Sequence, residues 1–119
     1  MKYALLIYGD EAARESAGSD QTNAIAQEYD KYAGWLVEKG WMRGGDELHS
    51  TRAATTVRVR DGQVLSTDGP FAETKEQLGG YFLIECDDLD QAIEAAAKLP
   101  GARVGSIEVR PIAEDQPHD

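Results

Sequence analysis

The sequence predicts one α+β domain: a four-stranded sheet under two helices, with a β-hairpin inserted between the second and third strands. Three patterns predict it. Tyr3–Tyr8 and Tyr81–Ile84 are continuous apolar runs, the signature of strands covered on both faces. Two stretches with helical spacing follow these runs, and Thr56 to Thr67 alternates on either side of Asp61-Gly62.

Gly9-Asp10 ends the first strand, and the polar, small-residue stretch Glu11 to Gln21 reads as a loop with room for a helical turn. From Gln21 the period changes. Ile25, Tyr29, Tyr32 and Leu36 fall on one stripe, joined by Ala26 and Ala33, while Glu28, Asp30, Lys31 and Glu38 lie away from it. Ser19 or Asp20 can cap this helix, and Lys39-Gly40 supplies a cationic last turn and a left-handed stop. Trp41 to His49 reads as a strand interrupted at Gly44-Gly45, which predicts a bulge or a close backbone approach. Asp61-Gly62 suits a type I′ turn between Thr56–Arg60 and Gln63–Thr67.

Gly80–Cys86 is the next strand, and Asp87-Asp88 can cap the helix after it. Leu89, Ala92, Ile93 and Ala96 are its expected buried stripe, and Pro100-Gly101 its end. Arg103 to Arg110 alternates as a last strand with Ile107 and Val109 inward. Without the hairpin the order is β-α-β-β-α-β, the ferredoxin-like arrangement. Residues 1–112 form the single domain, and 113–119 an unpatterned tail.

Composition narrows the function. The 119 residues suit one domain. With 22 acidic against 12 basic residues the formal charge is −10, and Arg58 and Arg60 are the only close basic pair, so nucleic-acid binding is not expected. The opening apolar run is too short for a signal-peptide core or a membrane span. The one cysteine, Cys86, permits no internal disulfide, and a cytoplasmic location is expected.

Two helices cover one face of a four-stranded sheet. Ala4–Tyr8 and Tyr81–Ile84 are apolar at odd and even positions alike, so the second face also needs cover. At about 25 cal/mol per Å² of apolar surface, leaving it wet would consume a small domain's stability margin. A second copy packed sheet to sheet supplies the cover, which predicts a homodimer. The alternative is a hairpin folded back over the open face.

The most distinctive segment runs from Asp68 to Gly80. Asp68, Gly69 and Pro70 favour a tight turn, and Ala72–Gln77 is long enough for one helical turn. Asp68, Glu73, Lys75 and Glu76 gather four ionisable groups in one connection. It reads either as part of a binding site or as an elaborate turn with Phe71 in the core.

Asp68-Gly69-Pro70-Phe71, with Glu73-Thr74-Lys75-Glu76 and Leu78-Gly79-Gly80-Tyr81, resembles the signature of the DGPF family, a branch of the YCII-related proteins. The opening Met1–Tyr8, Thr55–Arg58 and the closing Ile107–Pro111 resemble it too. The resemblance implies a dimeric α/β-barrel, a superfamily that includes muconolactone isomerases and cofactor-free monooxygenases. It also implies a regulatory setting, since such proteins are often encoded beside extracytoplasmic-function sigma factors. The wider group is associated with a His–Asp pair whose His lies on the first helix. No His precedes His49 here, so that half does not carry over, and Asp68 remains as the acidic member.

The chemistry-bearing residues then sort as follows. Asp68 and His49 are the acid–base candidates, although a His at a strand end is more often an ordinary surface side chain. Arg43, Gly69, Pro70, Phe71, Glu73, Lys75 and Glu76 are the expected substrate-binding residues, Lys75 or Arg43 orienting an anion. Asp46 faces away from Glu47 and His49 on a strand, so no metal site is expected, nor any cofactor. Cys86, beside Asp87 and Asp88, should have a raised thiol pKa and a structural role. Tyr29, Tyr32, Trp35, Trp41 and Phe71 are core residues or pocket walls.

Two functions fit. The first is a dimer that binds a small, partly apolar acid or ketone near the Asp68–Glu76 loop, with scope for cofactor-free acid–base catalysis. The second is a non-catalytic regulatory module whose acidic surface, at Asp87, Asp88, Asp90 and Glu94, meets a protein partner such as a sigma factor.

Overall fold

A computed structural model describes residues 1–114. The chain forms β1 (Lys2–Gly9), α1 (Glu11–Glu15), α2 (Ser19–Lys39), β2 (Met42–Glu47), β3 (Thr55–Arg60), β4 (Gln63–Asp68), β5 (Gln77–Glu85), α3 (Leu89–Ala97) and β6 (Ser106–Pro111). Single 3-10 turns at Thr51–Ala53 and Pro100–Arg103 precede β3 and β6. One sheet has the order β2-β5-β1-β6 with every neighbour antiparallel, and β3 pairs only with β4. This is the predicted ferredoxin-like α+β fold with its inserted hairpin.

Alternate residues of the two central strands decide which face carries the core. Tyr3, Leu5 and Ile84 pack with Tyr32 and Leu36 of α2 and with Ala92, Ala95, Ala96 and Leu99 of the α3 region. Both helices therefore cover one face. The Tyr32 hydroxyl donates to the Ala95 carbonyl at 2.7 Å and ties them together. Ala4, Leu6, Tyr81 and Leu83 are cross-strand partners outside that core, and they form the helix-free face. No helix among the described residues is long and apolar enough to cross a membrane.

The local signals behave largely as their chemistry requires. Gly40 adopts φ 76° and closes α2, and Asp61 and Gly62 take φ 53° and 76° in the hairpin turn. The β2 register shifts between Met42 and Gly44, the expected bulge, and a Cβ on Gly45 would stand 2.8 Å from the Tyr81 carbonyl oxygen. Asp88 caps α3 by accepting from the Gln91 amide.

Glu11–Glu15 forms the helical turn for which the loop reading left room, because the Asp10 carboxylate accepts from the Ala13 amide at 3.2 Å and nucleates it. Four expectations need correction. Gly18, with no side-chain cap, starts α2, so Ser19 and Asp20 lie inside its first turn. Ala72–Gln77 forms no helical turn: the Thr74 hydroxyl donates to the Glu76 carbonyl, the Gln77 amide group donates to the Thr74 carbonyl, and these local bonds displace the helical pattern. α3 buries Ala92, Ala95 and Ala96, whose small side chains allow a close approach, while Leu89 and Ile93 are half exposed. Arg103 belongs to a 3-10 turn, and the last strand starts at Ser106. Of the expected tail, 113 and 114 are described, with a Glu114 carboxylate oxygen accepting from the Lys2 amide at 2.6 Å; 115–119 lie outside the described residues.

Candidate functional site

The edge strand β2 and its neighbour β5 lose their side chains at one end of the helix-covered face. Gly45 on β2 and Gly79-Gly80 on β5 leave bare backbone there, and a cavity of ≈ 190 Å³ opens above them. Ile7 and Phe82 give it apolar walls, and Arg14 of α1, Tyr29 of α2 and Glu47 of β2 give it polar groups. Arg14 reaches the cavity because Gly79 has no Cβ: one there would stand 2.8 Å from a guanidinium nitrogen. The Tyr29 phenol lies beside the backbone of Gly101, and burial raises its pKa above the ordinary tyrosine value.

A second, more open cavity of ≈ 410 Å³ lies where the Thr51 turn meets the Asp68–Glu76 loop, lined by Thr51, Arg52, Gly69, Pro70, Ala72, Glu73, Thr74 and Gln77. The start of β5 joins the two, since Gln77 lines one cavity and Gly79 the other. α1 braces this junction. The Glu11 carboxylate accepts from the Thr51 amide at 2.6 Å and its hydroxyl at 2.7 Å, and the Glu11 amide donates to the Gln77 side chain at 3.0 Å. The Thr51 hydroxyl bond leads the causes that hold the Glu11 pKa below its ordinary value. One turn on, Glu15 accepts from Arg52 at 2.9 Å.

The residues singled out from the sequence are distributed rather than gathered. Gly69, Pro70 and Glu73 line the loop cavity. Phe71 projects from the loop at 79% exposure, neither in the core nor on a cavity wall. Lys75 is exposed, and Glu76 accepts from the Ser106 hydroxyl at 2.9 Å. Arg43 stands at the far end of β2 in an ion pair with Glu85 at 3.1 Å. Asp68 ends β4 and His49 follows β2; both are exposed and share no hydrogen bond or ion pair among the described residues. Cys86 is buried, with its thiol pKa raised by desolvation first and by Asp88 and Asp87 after it.

Tyr29 was visible in the sequence as a wall candidate, whereas Arg14 was not. Its stretch reads as a loop, and only the Asp10 cap, a short-range signal, fixes where its side chain goes. The Gly79-Gly80 pair signals its role more openly: two adjacent glycines inside an apolar strand mark a place where something approaches the backbone.

The model of the YCII-related domain matches residues 1–115. The chain belongs to the YCII-related family. An uncharacterised protein of Rhizobium meliloti (strain 1021) is 39% identical over 115 residues, covering 95% of this chain and 93% of that one. The family expectation drawn from the Asp68–Phe71 motif and its flanking strands is thereby borne out, and the match spans the sheet, both helices and the hairpin.

Proposed function

We propose that this YCII-related protein is a homodimer that binds a small molecule beside the Asp68–Glu76 loop, in the cavity between α2 and the sheet. The binding half rests on one observation: Arg14, Tyr29 and Glu47 converge on a ≈ 190 Å³ space walled by Ile7 and Phe82. A concave site with apolar walls and a few placed polar groups is what small ligands require. Its volume lies below the roughly 300 Å³ at which sites for drug-sized ligands begin, so the ligand is compact.

The acid–base candidates Asp68 and His49 adjoin, in sequence, residues of the loop cavity. Asp68 immediately precedes Gly69 and Pro70 in its wall, and His49 stands two residues before Thr51. Asp68→Asn with turnover unchanged and the fold intact would remove Asp68 from that role. The regulatory-module reading draws no comparable support, because Asp87 and Asp88 of its acidic patch are engaged with Gln91 at the start of α3.

The dimer half rests on the helix-free face. Leu6, Tyr81, Ala4 and Leu83 stay partly exposed there. Light scattering should give twice the 13.0 kDa of the chain, and Leu83→Glu should halve it. A wild-type monomer at micromolar concentration would end the dimer proposal.

Ligand screening by thermal shift tests the binding half, since a ligand at 100 times its Kd stabilises by about 2.7 kcal/mol. Hits should perturb the amide resonances of Gly45, Gly79 and Gly80. Hits that leave those three unmoved would sink the cavity reading.

A further inference from the structure

The helix–sheet cavity is flanked by two charges without a partner. Four ion pairs among the described residues engage Arg43, Arg52, Arg103 and Arg110. Arg14, exposed like Arg58 and Arg60, has none, and it alone of these three lines the cavity. Its neighbours on α1 are occupied elsewhere, Glu11 by Thr51 and Glu15 by Arg52. Glu47 lines the same cavity and likewise forms no ion pair among the described residues, although a direct Arg14–Glu47 bridge would neutralise both. Asp46, the other carboxylate at this site, accepts from the Tyr81 hydroxyl at 2.7 Å on the helix-free side. The cavity thus holds one uncommitted cation and one uncommitted anion, kept apart, with apolar surface and a phenol alongside.

We infer that the cavity takes a small carboxylic acid with a compact apolar body and a hydroxyl or ammonium donor close to the carboxylate. This rests on the reading of the cavity as a small-molecule site and names the class of its ligand. The carboxylate lies against the Arg14 guanidinium, which offers two parallel N–H donors to such a group. The apolar body packs on Ile7 and Phe82, and the donor reaches Glu47. Tyr29 supplies a further donor from the α2 side. Size fits as well: a cavity of about 150 Å³ admits a benzene ring, and this one measures ≈ 190 Å³. Gly79 is the positioning residue, because only a bare Cα lets the guanidinium lie where it does.

Calorimetric titration of the purified protein with three compounds tests the inference: 2-hydroxyisovalerate, isovalerate and isovaleramide. The hydroxy acid should bind most tightly. The amide, which keeps the shape and loses the charge, should bind at least about tenfold more weakly, as expected when a charge-assisted hydrogen bond is lost. Arg14→Met should weaken both acids by a similar factor and leave the amide unchanged. Glu47→Gln should abolish the preference for the hydroxy acid over isovalerate. Gly79→Ala, which displaces the guanidinium without removing it, should reproduce the Arg14→Met result and serves if that variant fails to fold.

Equal affinity for acid and amide, acid binding indifferent to Arg14→Met and Gly79→Ala, or no binding by any of the three compounds overturns the inference. The first two outcomes, accompanied by shifts at the Gly79 and Gly80 amides, leave the cavity reading standing. Absence of such shifts from a broad screening set would remove that reading too.

Discussion

The four-stranded sheet and the β3–β4 hairpin are built from the same materials and end in opposite conditions. Both have antiparallel ladders, and both carry apolar side chains, in continuous runs in the central strands of the sheet and interspersed with polar residues in the hairpin. In the sheet, Leu5 and Ile84 are fully buried. In the hairpin, Val57, Val59, Val64 and Leu65 all stay exposed, and among the described residues its two strands pair with no other strand. Strand propensity and turn chemistry suffice to make a ladder, but only a facing helix makes a core. The hairpin accordingly serves less as a source of stability than as the lever that carries the chain out to the Asp68–Glu76 loop. The same split separates the two cavities: the sheet floors the one that Arg14 and Tyr29 line, and the segments flanking the hairpin wall the other.

The largest test of this comparison is Leu36→Ala. Leu36 is fully buried between α2 and the sheet, and its truncation should cost about 2–5 kcal/mol by urea unfolding. A loss below about 1 kcal/mol would mean that α2 does not anchor the sheet, and the contrast with the hairpin would collapse.

The elements legible in the sequence are those set by short-range rules. The apolar period fixed α2 to its last turn at Gly40, and Asp61-Gly62 fixed the hairpin. Less legible was what depends on how elements approach one another. Of the stripe expected on α3, Ala92 and Ala96 are buried, but Leu89 and Ile93 are half exposed, and Ala95 joins the core because a helix lying close to its neighbours favours small side chains. The site divides along the same line. Gly69, Pro70 and Glu73 lie on a cavity wall, as a turn-rich loop suggests. Arg14 enters its cavity only because Asp10 starts a helix and Gly79, far along the chain, leaves a place for the guanidinium. A motif search finds residues near each other in sequence and misses such pairs.

A smaller effect, confined to the junction between the regions, is expected from pH. The Glu11 carboxylate ties α1 to the Thr51 turn, and its pKa is lower in the folded protein than the ordinary value of about 4.3. A depressed folded pKa means that the bond's contribution is complete above the unfolded value and fades as pH falls through the folded one. Protection of the Thr51 amide against hydrogen exchange should therefore hold at neutral pH and disappear in acid, while the Leu5 and Ile84 amides remain protected. Glu11→Gln should remove the acid-dependent step. Parallel loss at Thr51 and in the sheet would show that the two regions open together.

The smallest effect should come from Val64→Ala. Val64 pairs with Val59 across the hairpin and is 73% exposed, so truncation creates no cavity and removes little buried surface. Global stability should change by no more than about 0.5 kcal/mol, the usual range for surface sites. The comparison with Leu36→Ala is direct, because both variants shorten an aliphatic side chain on a regular element and differ chiefly in what faces it. A cost approaching that of Leu36→Ala would break the contrast in an informative way. It would mean that the apolar side of the hairpin is covered in solution by surface outside its own chain, and concentration dependence of the loss would identify that surface as a second copy.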